Sequence, residues 1–326
     1  MQVPSIENTG CKRVLVTGGA GFIGSHVVDL LLAEGHRVAV VDNLSTGRRE
    51  NVNPQADFFL VDIGSPDLAA VFDAVRPQAV VHLAAQASVP VSVADPARDA
   101  AVNILGSVNL LQQSVRAGVD KFVYVSTGGA LYGEPQYLPC DEDHPIVPLS
   151  PYGVSKHTVE HYLHFYRQVH GLAYTVLRLA NVYGPRQDPF GEAGVVAIFT
   201  QRMLDGEQVV IYGSGEQERD FVYVLDCARA AVLALSRGDG QAYNIGCGRG
   251  TTINALFALM RSITGYTLEP RYDPPRPGDV FRSFLNADKA RRELGWEPTV
   301  SLDEGLRRTV AHFRRRLSPH VRGARG

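Results

Sequence analysis

Short β-branched runs alternate with longer segments of helical spacing through the first half of the chain. Residues 14–16, 37–41, 57–61, 79–81, 122–125 and 174–179 read as buried strands, each separated from the next by a helix-length stretch. Regular alternation predicts a parallel sheet with helices on both faces, because parallel neighbours need a crossover and the crossover helix packs back on the sheet. After Asn181 the pattern loosens. Gly184-Pro185, Asp188-Pro189 and Gly191 mark loops, and later segments mix short strands with helices.

Two helical segments carry more apolar surface than one buried face needs: residues 96–115, with Val102, Ile104, Leu105 and Val108, and residues 152–169, with Val159, Tyr162, Phe165 and Val169. A stripe that wraps past a single face requires a second partner surface, either another part of the same chain or a second copy in a homodimer. Residues 270–279 are dense in Pro and Arg and read as an ordered loop. The last helix, residues 302–313, runs into Arg314-Arg315-Arg316, cations that suit a helix C-terminus, and residues 318–326 are expected to fray.

A length of 326 residues allows two domains, or one large domain with a smaller companion, and 45% hydrophobic residues with 20% charged residues exclude disordered and fibrous classes. Lys plus Arg is 32 against 34 Asp plus Glu, a balance unsuited to neutralising a nucleic acid. The four cysteines, Cys11, Cys140, Cys227 and Cys247, show no CxxC spacing and no accompanying His cluster. No zinc site or disulfide framework is expected, and a reducing cytoplasm fits. The uncharged run after Lys12-Arg13 is interrupted by four glycines and Thr17, unlike a signal peptide. The uncharged stretch at 78–94 is too short for a membrane span and carries His82, Gln86 and Pro90. A soluble protein is expected. His157, His161 and His164 share one helix, but without carboxylate or thiol companions they do not read as a metal site.

Thr17-Gly18-Gly19-Ala20-Gly21-Phe22-Ile23-Gly24 follows the first strand directly and opens the first helix. Gly18, Gly21 and Gly24 allow a tight turn, the approach of a pyrophosphate to the backbone and close helix packing, while the helix N-terminus supplies donors. The expected class is thus α/β, a Rossmann-type doubly wound parallel sheet with a smaller mixed α/β C-terminal substrate domain. Asp42 ends the second strand, where a carboxylate binds adenosine ribose hydroxyls and repels the 2′-phosphate of NADP; a loop-capping aspartate is the plainer alternative. Arg48 and Arg49 lie close enough to offset that charge, yet NAD is favoured over NADP.

Tyr152 and Lys156, four apart on a helix begun by Pro151, fall on one face. A free phenol has a pKa of about 10, too high for a base at neutral pH. A neighbouring ammonium, helped by an oxidised nicotinamide, would bring it into range.

With these motifs the chain resembles the extended short-chain dehydrogenase/reductase family, most closely its UDP-hexose 4-epimerase branch. The likeness spans residues 12–315 and rests on TGGAGFIG, Asp42, Asp62-Ile63, HLAA at 82–85, Asn103 in NILGS, STGGALYG, YGVSK, LRLANVYGPR, RDFVYV and RPGD. It implies an NAD-binding domain over residues 1–180, with return segments near 221–247, and a substrate domain mainly over 181–326. Implied cofactor contacts come from Gly18, Gly21, Phe22, Ile23 and Gly24, from Asp42, Asn43, Ser45, Thr46 and Gly47, and from Asp62 and Ile63. Leu83, Ala84, Ala85, Gln86, Asn103, Tyr152 and Lys156 complete that set. The family reaction has Tyr152 take the proton of the sugar 4-hydroxyl while hydride leaves C4 for NAD. The 4-keto sugar then turns over within the site and takes the hydride back on its other face.

Members that dehydrate nucleotide sugars carry a Thr-Asp-Glu run where this chain has Gly128, Gly129 and Ala130, and without carboxylates the elimination lacks its proton carriers. The same alignment puts Gly128 at the usual catalytic Ser or Thr position. The hydroxyl role passes to Thr127, with Ser126 as understudy. On the substrate side the resemblance implies that Asn181, Val195 and Val196 line the UDP-sugar and that Tyr212 lies near the uracil. It further implies that Arg219 and Arg276 hold the diphosphate and that Asp279 accepts from the ribose; surface ion pairs are the plainer reading of each arginine. Ser283 falls at the gatekeeper position beside the sugar 2-substituent, where a small side chain leaves room for an N-acetyl group, and Ser88 resembles the N-acetyl-accepting members. The implied partners are a UDP-sugar and a second copy of the chain. A dehydratase or decarboxylase, or a non-catalytic NAD-binding protein, are the competing readings.

Overall fold

The computed structural model describes residues 10–190, 194–275 and 280–321. Strands β1 (Arg13–Thr17), β2 (Arg37–Asp42), β3 (Asp57–Leu60), β4 (Ala79–His82), β5 (Lys121–Thr127) and β6 (Ala173–Leu179) alternate with helices α1 (Phe22–Ala33), α2 (Leu68–Val75), α3 (Val89–Ala94), α4 (Pro96–Ala100), α5 (Gly106–Arg116) and α6 (Pro151–His170). The chain then runs through β7 (Asn181–Tyr183), α7 (Val195–Asp205), β8 (Val210–Tyr212), β9 (Glu218–Arg219), β10 (Phe221–Tyr223) and α8 (Val224–Leu233). It ends with β11 (Gln241–Ile245), β12 (Thr251–Thr252), α9 (Ile253–Thr264), β13 (Arg271–Asp273), β14 (Arg282–Ser283) and α10 (Leu302–Val321).

Seven parallel strands form the main sheet in the order β11-β6-β5-β4-β1-β2-β3. Period-two alternation sorts their side chains. Val14, Val16, Val38, Val40, Val123 and Val125 face the core shared with α1 and α8, while Leu15, Ala39, Val41, Val80, Phe122 and Tyr124 face α2, α5 and α6. Strand order reverses between β1 and β4, and the crevice beyond the C-terminal ends of those strands is where a doubly wound sheet binds its ligand. Helix α6, which forms one wall of that crevice, starts at Ser150, whose hydroxyl accepts from Gly153 N, with Pro151 in the first turn, and stops at Gly171 at φ 71°.

The second unit packs α7, α9 and α10 around Tyr183, Phe199, Met203, Phe257 and Met260 beside three small sheets. The chain enters it through β7, which pairs with β10, and β11 returns to the edge of the main sheet beside β6. Trp296 is fully buried and donates its indole N–H to Asp226 O at 2.8 Å.

Three expectations change. The helix expected at 96–115 divides into α4, a π-helical turn over Ala101–Leu105, and α5. Within the expected loop at 270–279, Arg271–Asp273 form β13 and pair in parallel with β8. Helix α10 continues past Phe313 to Val321, so Arg314 does not cap its own helix. Its guanidinium instead donates to Ile263 O at 3.4 Å and Thr264 O at 3.1 Å, carbonyls at the end of α9. No described helix is long and apolar enough to cross a membrane.

Candidate active site

Gly18 turns the chain at φ 71°, with space for a Cβ closed by Ala84 N at 2.6 Å; a Cβ on Gly24 would strike Gly18 O. Gly18 N donates to Val41 O at 2.8 Å and Gly21 N to Gly18 O at 3.1 Å. Gly21 is the N-cap of α1 and offers no side-chain cap, and no acid lies in the first turn. The helix end therefore presents backbone donors and an unopposed positive dipole, which suits a pyrophosphate. Phe22 and Ile23 are half-buried beside it.

The Asp42 carboxylate lies over this turn, accepting from Ala20 N at 3.0 Å and Leu44 N at 2.8 Å. Gly47 packs against it, with a would-be Cβ 2.8 Å from Asp42 Oδ1. Arg48 pairs with Asp188 at 3.3 Å and Glu50 at 3.8 Å, and Arg49 lies over the Phe58 ring at 4.3 Å, so both guanidinium groups have other partners. Asn43 donates to Asp62 Oδ2 at 2.7 Å and accepts from Ser45 N, and Gly64 N donates to Asp62 Oδ1 at 2.7 Å. This ties the ends of β2 and β3 together. Ser45 and Thr46 are exposed there, and Ile63 is buried in the sheet core.

After β4, Leu83 N donates to Thr17 O at 3.1 Å and Ala84 N to Thr17 Oγ1 at 3.3 Å, holding residues 83–85 against the glycine turn. Gln86 N donates to Asn103 Oδ1 at 2.8 Å. The π-helical turn places Asn103 inward at 2% exposure, where its amide reaches Gln86 O, Asp99 Oδ1 and Ser155 Oγ. The Ser88 hydroxyl caps α3, accepting from Val91 N at 3.0 Å.

Lys156 is buried at 4% exposure and lies 4.5 Å from the centre of the Tyr124 ring. Burial brings the ammonium down to about 7, with Glu160 and Asp99 pulling it back up. Burial pushes the Tyr152 phenol up to about 12, a hydrogen bond from the Thr127 hydroxyl opposes this, and the Asp99 charge reinforces it. Within the protein alone, burial works against the charged form of both groups, and the help expected from an oxidised nicotinamide is what remains to bring the phenol into range. The Thr127 hydroxyl also accepts from Ala130 N at 3.3 Å. Ser126 is not brought to this group. Its hydroxyl donates to Glu160 Oε1 at 2.7 Å, and Arg178 clamps the same carboxylate from Nε at 3.2 Å and Nη2 at 2.7 Å. Burial would raise Glu160, but hydrogen bonds from His157, Arg178 and Ser126 hold it down at about 2.

Residues 128–130 pass beside Asn181, whose Oδ1 lies 3.7 Å from a would-be Cβ on Gly129. Ser283 pairs with Arg219 across β14 and β9, which brings two expected substrate contacts together on one wall. Val195 is half-buried at the start of α7, whereas Val196, at 1% exposure, belongs to the second core and can present only backbone to a ligand. Tyr212 ends β8 and is partly exposed at 36%. Arg276 and Asp279 lie outside the described residues.

Asp220 is a residue the sequence reading passed over. Buried at 1% exposure, it accepts from Cys247 N, Gly248 N and Leu285 N, and burial raises it to about 6 against those hydrogen bonds. Glu160, Arg178 and Asp99 were likewise unmarked; acids and a base inside otherwise apolar strand and helix patterns were the available signal.

The chain matches the family described as the NAD dependent epimerase/dehydratase family over residues 14–246. It is similar to a solved UDP-glucose 4-epimerase from Thermotoga maritima with UDP-glucose, at 57% identity and TM-score 0.92 over 93% of this chain and 99% of that one. The UDP-glucose 4-epimerase of Thermus thermophilus, solved with NAD, shares 50% identity at TM-score 0.88, covering 92% and 98%. A UDP-N-acetylglucosamine 4-epimerase from Methanobrevibacter ruminantium, in complex with UDP-N-acetylmuramic acid, shares 36% identity at TM-score 0.90, covering 94% and 100%.

Proposed function

The chain belongs to the NAD-dependent epimerase/dehydratase family, and from that premise we propose that it is a UDP-hexose 4-epimerase that keeps NAD as a resident cofactor. The observation that carries this reading is a Tyr152, Lys156 and Thr127 group set beside a turn, Gly128-Gly129-Ala130, that holds no carboxylate. Tyr152 is the base toward the sugar 4-hydroxyl, Thr127 donates to the reacting oxygen, and Lys156 favours the phenolate. When bound, NAD supplies the hydride acceptor and a positive charge beside the phenol. The glycine turn and α1 hold its pyrophosphate, and Asp42 its adenosine ribose. A dehydratase or decarboxylase would need an acid and base where the turn has none.

UDP-glucose and UDP-galactose are the substrates, and the small, half-buried Ser283 gives room for the N-acetylated pair. The similarity to a UDP-N-acetylglucosamine 4-epimerase supports this. The end of the π-helical turn and α6 leave Leu105 at 65%, Val154 at 50%, Phe165 at 48% and Val169 at 60% exposure. A second copy covers them, making a homodimer whose mass light scattering measures. Four free thiols accord with a cytoplasmic location.

The testing experiment incubates the purified protein, without added cofactor, with UDP-glucose and separately with UDP-N-acetylglucosamine, and resolves products by anion exchange and proton NMR. The 4-epimer is expected from both, and none from Tyr152→Phe. No conversion of either substrate even with NAD supplied would overturn the reading.

A further inference from the structure

Asp99 lies in α4, 1% exposed, and its carboxylate has no mechanistic role so far. Oδ1 accepts from Gln86 Nε2 at 2.9 Å and from Asn103 Nδ2 at 3.0 Å; Oδ2 is buried with no hydrogen-bond partner among the described residues. A buried carboxylate left half-satisfied is costly and calls for a reason. The neighbouring geometry supplies one. The Asn103 nitrogen that bonds Asp99 also reaches Ser155 Oγ at 3.1 Å, and Ser155 sits on α6 between Tyr152 and Lys156.

The groups facing Lys156 narrow the electrostatics. From β4, His82 is held by burial and by Lys156 at about 3, and so is neutral. From β5, burial raises the Tyr124 phenol well above its ordinary value. From α6 come Tyr152 and Glu160; Glu160, the stronger of the two carboxylates acting on Lys156, is shared with Arg178 through a two-pronged contact. Asp99 is the second carboxylate acting on Lys156, and among the described residues no guanidinium pairs with it.

We propose that Asp99 is a positioning residue for the Tyr152–Lys156 pair: its buried negative charge is a counter-charge of Lys156 beside that of Glu160, and through Asn103 it fixes the helix turn between the two. This rests on the epimerase reading only in giving the pair its task. A structural strut would need the hydrogen bonds of Asp99 but not its charge.

The test exploits a chain with four lysines, Lys12, Lys121, Lys156 and Lys289. Protein labelled with carbon-13 at lysine Cε gives four titratable signals, with Lys156 assigned through Lys156→Arg. In Asp99→Asn the Lys156 midpoint is expected to fall by about one pH unit while the other three stay in place. The acid limb of the turnover profile with UDP-glucose moves the same way, because removing the anion also eases ionisation of Tyr152. Asp99→Ser, smaller and uncharged, serves if Asp99→Asn does not fold. A Lys156 midpoint unchanged in a folded variant, even with a lowered melting temperature, would overturn the proposal and leave Asp99 a strut. If the wild type does not turn over UDP-glucose, the epimerase reading fails, yet the lysine titration still decides the role of Asp99.

Discussion

Restoring a hydroxyl at Gly128 should damage the protein. The family resemblance puts the usual catalytic Ser or Thr there, so Gly128→Ser looks like a repair. A Cβ at this position would lie 3.1 Å from Leu285 Cδ2 and 3.3 Å from Cγ, and closer still to Cδ1. Carbon atoms in ordinary contact sit about 3.5–4.0 Å apart. Leu285 has little room to retreat: it is 1% exposed, packed with Leu131, Tyr132 and Cys140, and its backbone N–H is held by Asp220 at 3.2 Å. Overpacking of this kind costs about 1–3 kcal/mol. Leu285→Ala alone costs about 2–5 kcal/mol through the cavity it leaves. In the double variant the new side chain enters that cavity, so the combined cost should fall short of the sum by about 1 kcal/mol or more. Urea unfolding of the four proteins, with equal m values, measures the cycle, and turnover of UDP-glucose should not rise in either Gly128→Ser protein. Additive costs, or a Gly128→Ser as stable as the wild type, would refute the packing argument.

Thr127→Val removes the hydroxyl bonded to Tyr152 and should lower kcat about 100-fold with KM nearly unchanged, whereas Ser126→Ala should act mainly on stability; steady-state kinetics of the two separate these roles. Acid should weaken the fold through His26, which burial lowers from 6.5 to about 4. A base whose folded value is depressed stabilises fully above its unfolded value, and that contribution fades as pH falls from about 6.5 toward about 4. On the order of 2–3 kcal/mol is at stake by pH 4.5. Urea midpoints at pH 7 and 4.5 should converge in His26→Gln relative to the wild type, and an equal drop in both proteins would count against it.

The main sheet was legible because its strands are buried on both faces, so residues 14–16, 79–81 and 122–125 appear as apolar runs between turn signals. The glycine turn was legible for a related reason, since a steric demand at Gly18 and Gly24 leaves no other residue type. Side-chain direction was less so. Alternation along β5 could have separated Ser126 from Thr127, because Tyr124 and Ser126 share the face toward α6. The π-helical turn at Ala101–Leu105 leaves no trace in hydrophobic spacing, since one extra residue per turn rotates Asn103 inward without changing which residues are apolar. Partners distant along the chain, such as Arg314 with the end of α9 or Arg178 with Glu160, have no local signature at all.

The glycine at 128 and the buried acid at 220 belong to one arrangement. Asp220 follows β9 and accepts from Cys247 and Gly248 just after β11, and from Leu285 just after β14. It thereby fixes the wall bearing Arg219 and Ser283 against the edge of the main sheet. Leu285 is the point where that wall meets the loop after β5, and Cys140 on that loop bridges to Leu285 as well. A side chain at 128 would drive the wall away from the strand that carries Thr127, so the hydroxyl and the close approach cannot both occupy position 128. Moving the hydroxyl one residue back, to the strand end, satisfies both demands. Thr127 still reaches Tyr152, and the wall bearing Arg219 and Ser283 stays close to the strand that carries Thr127.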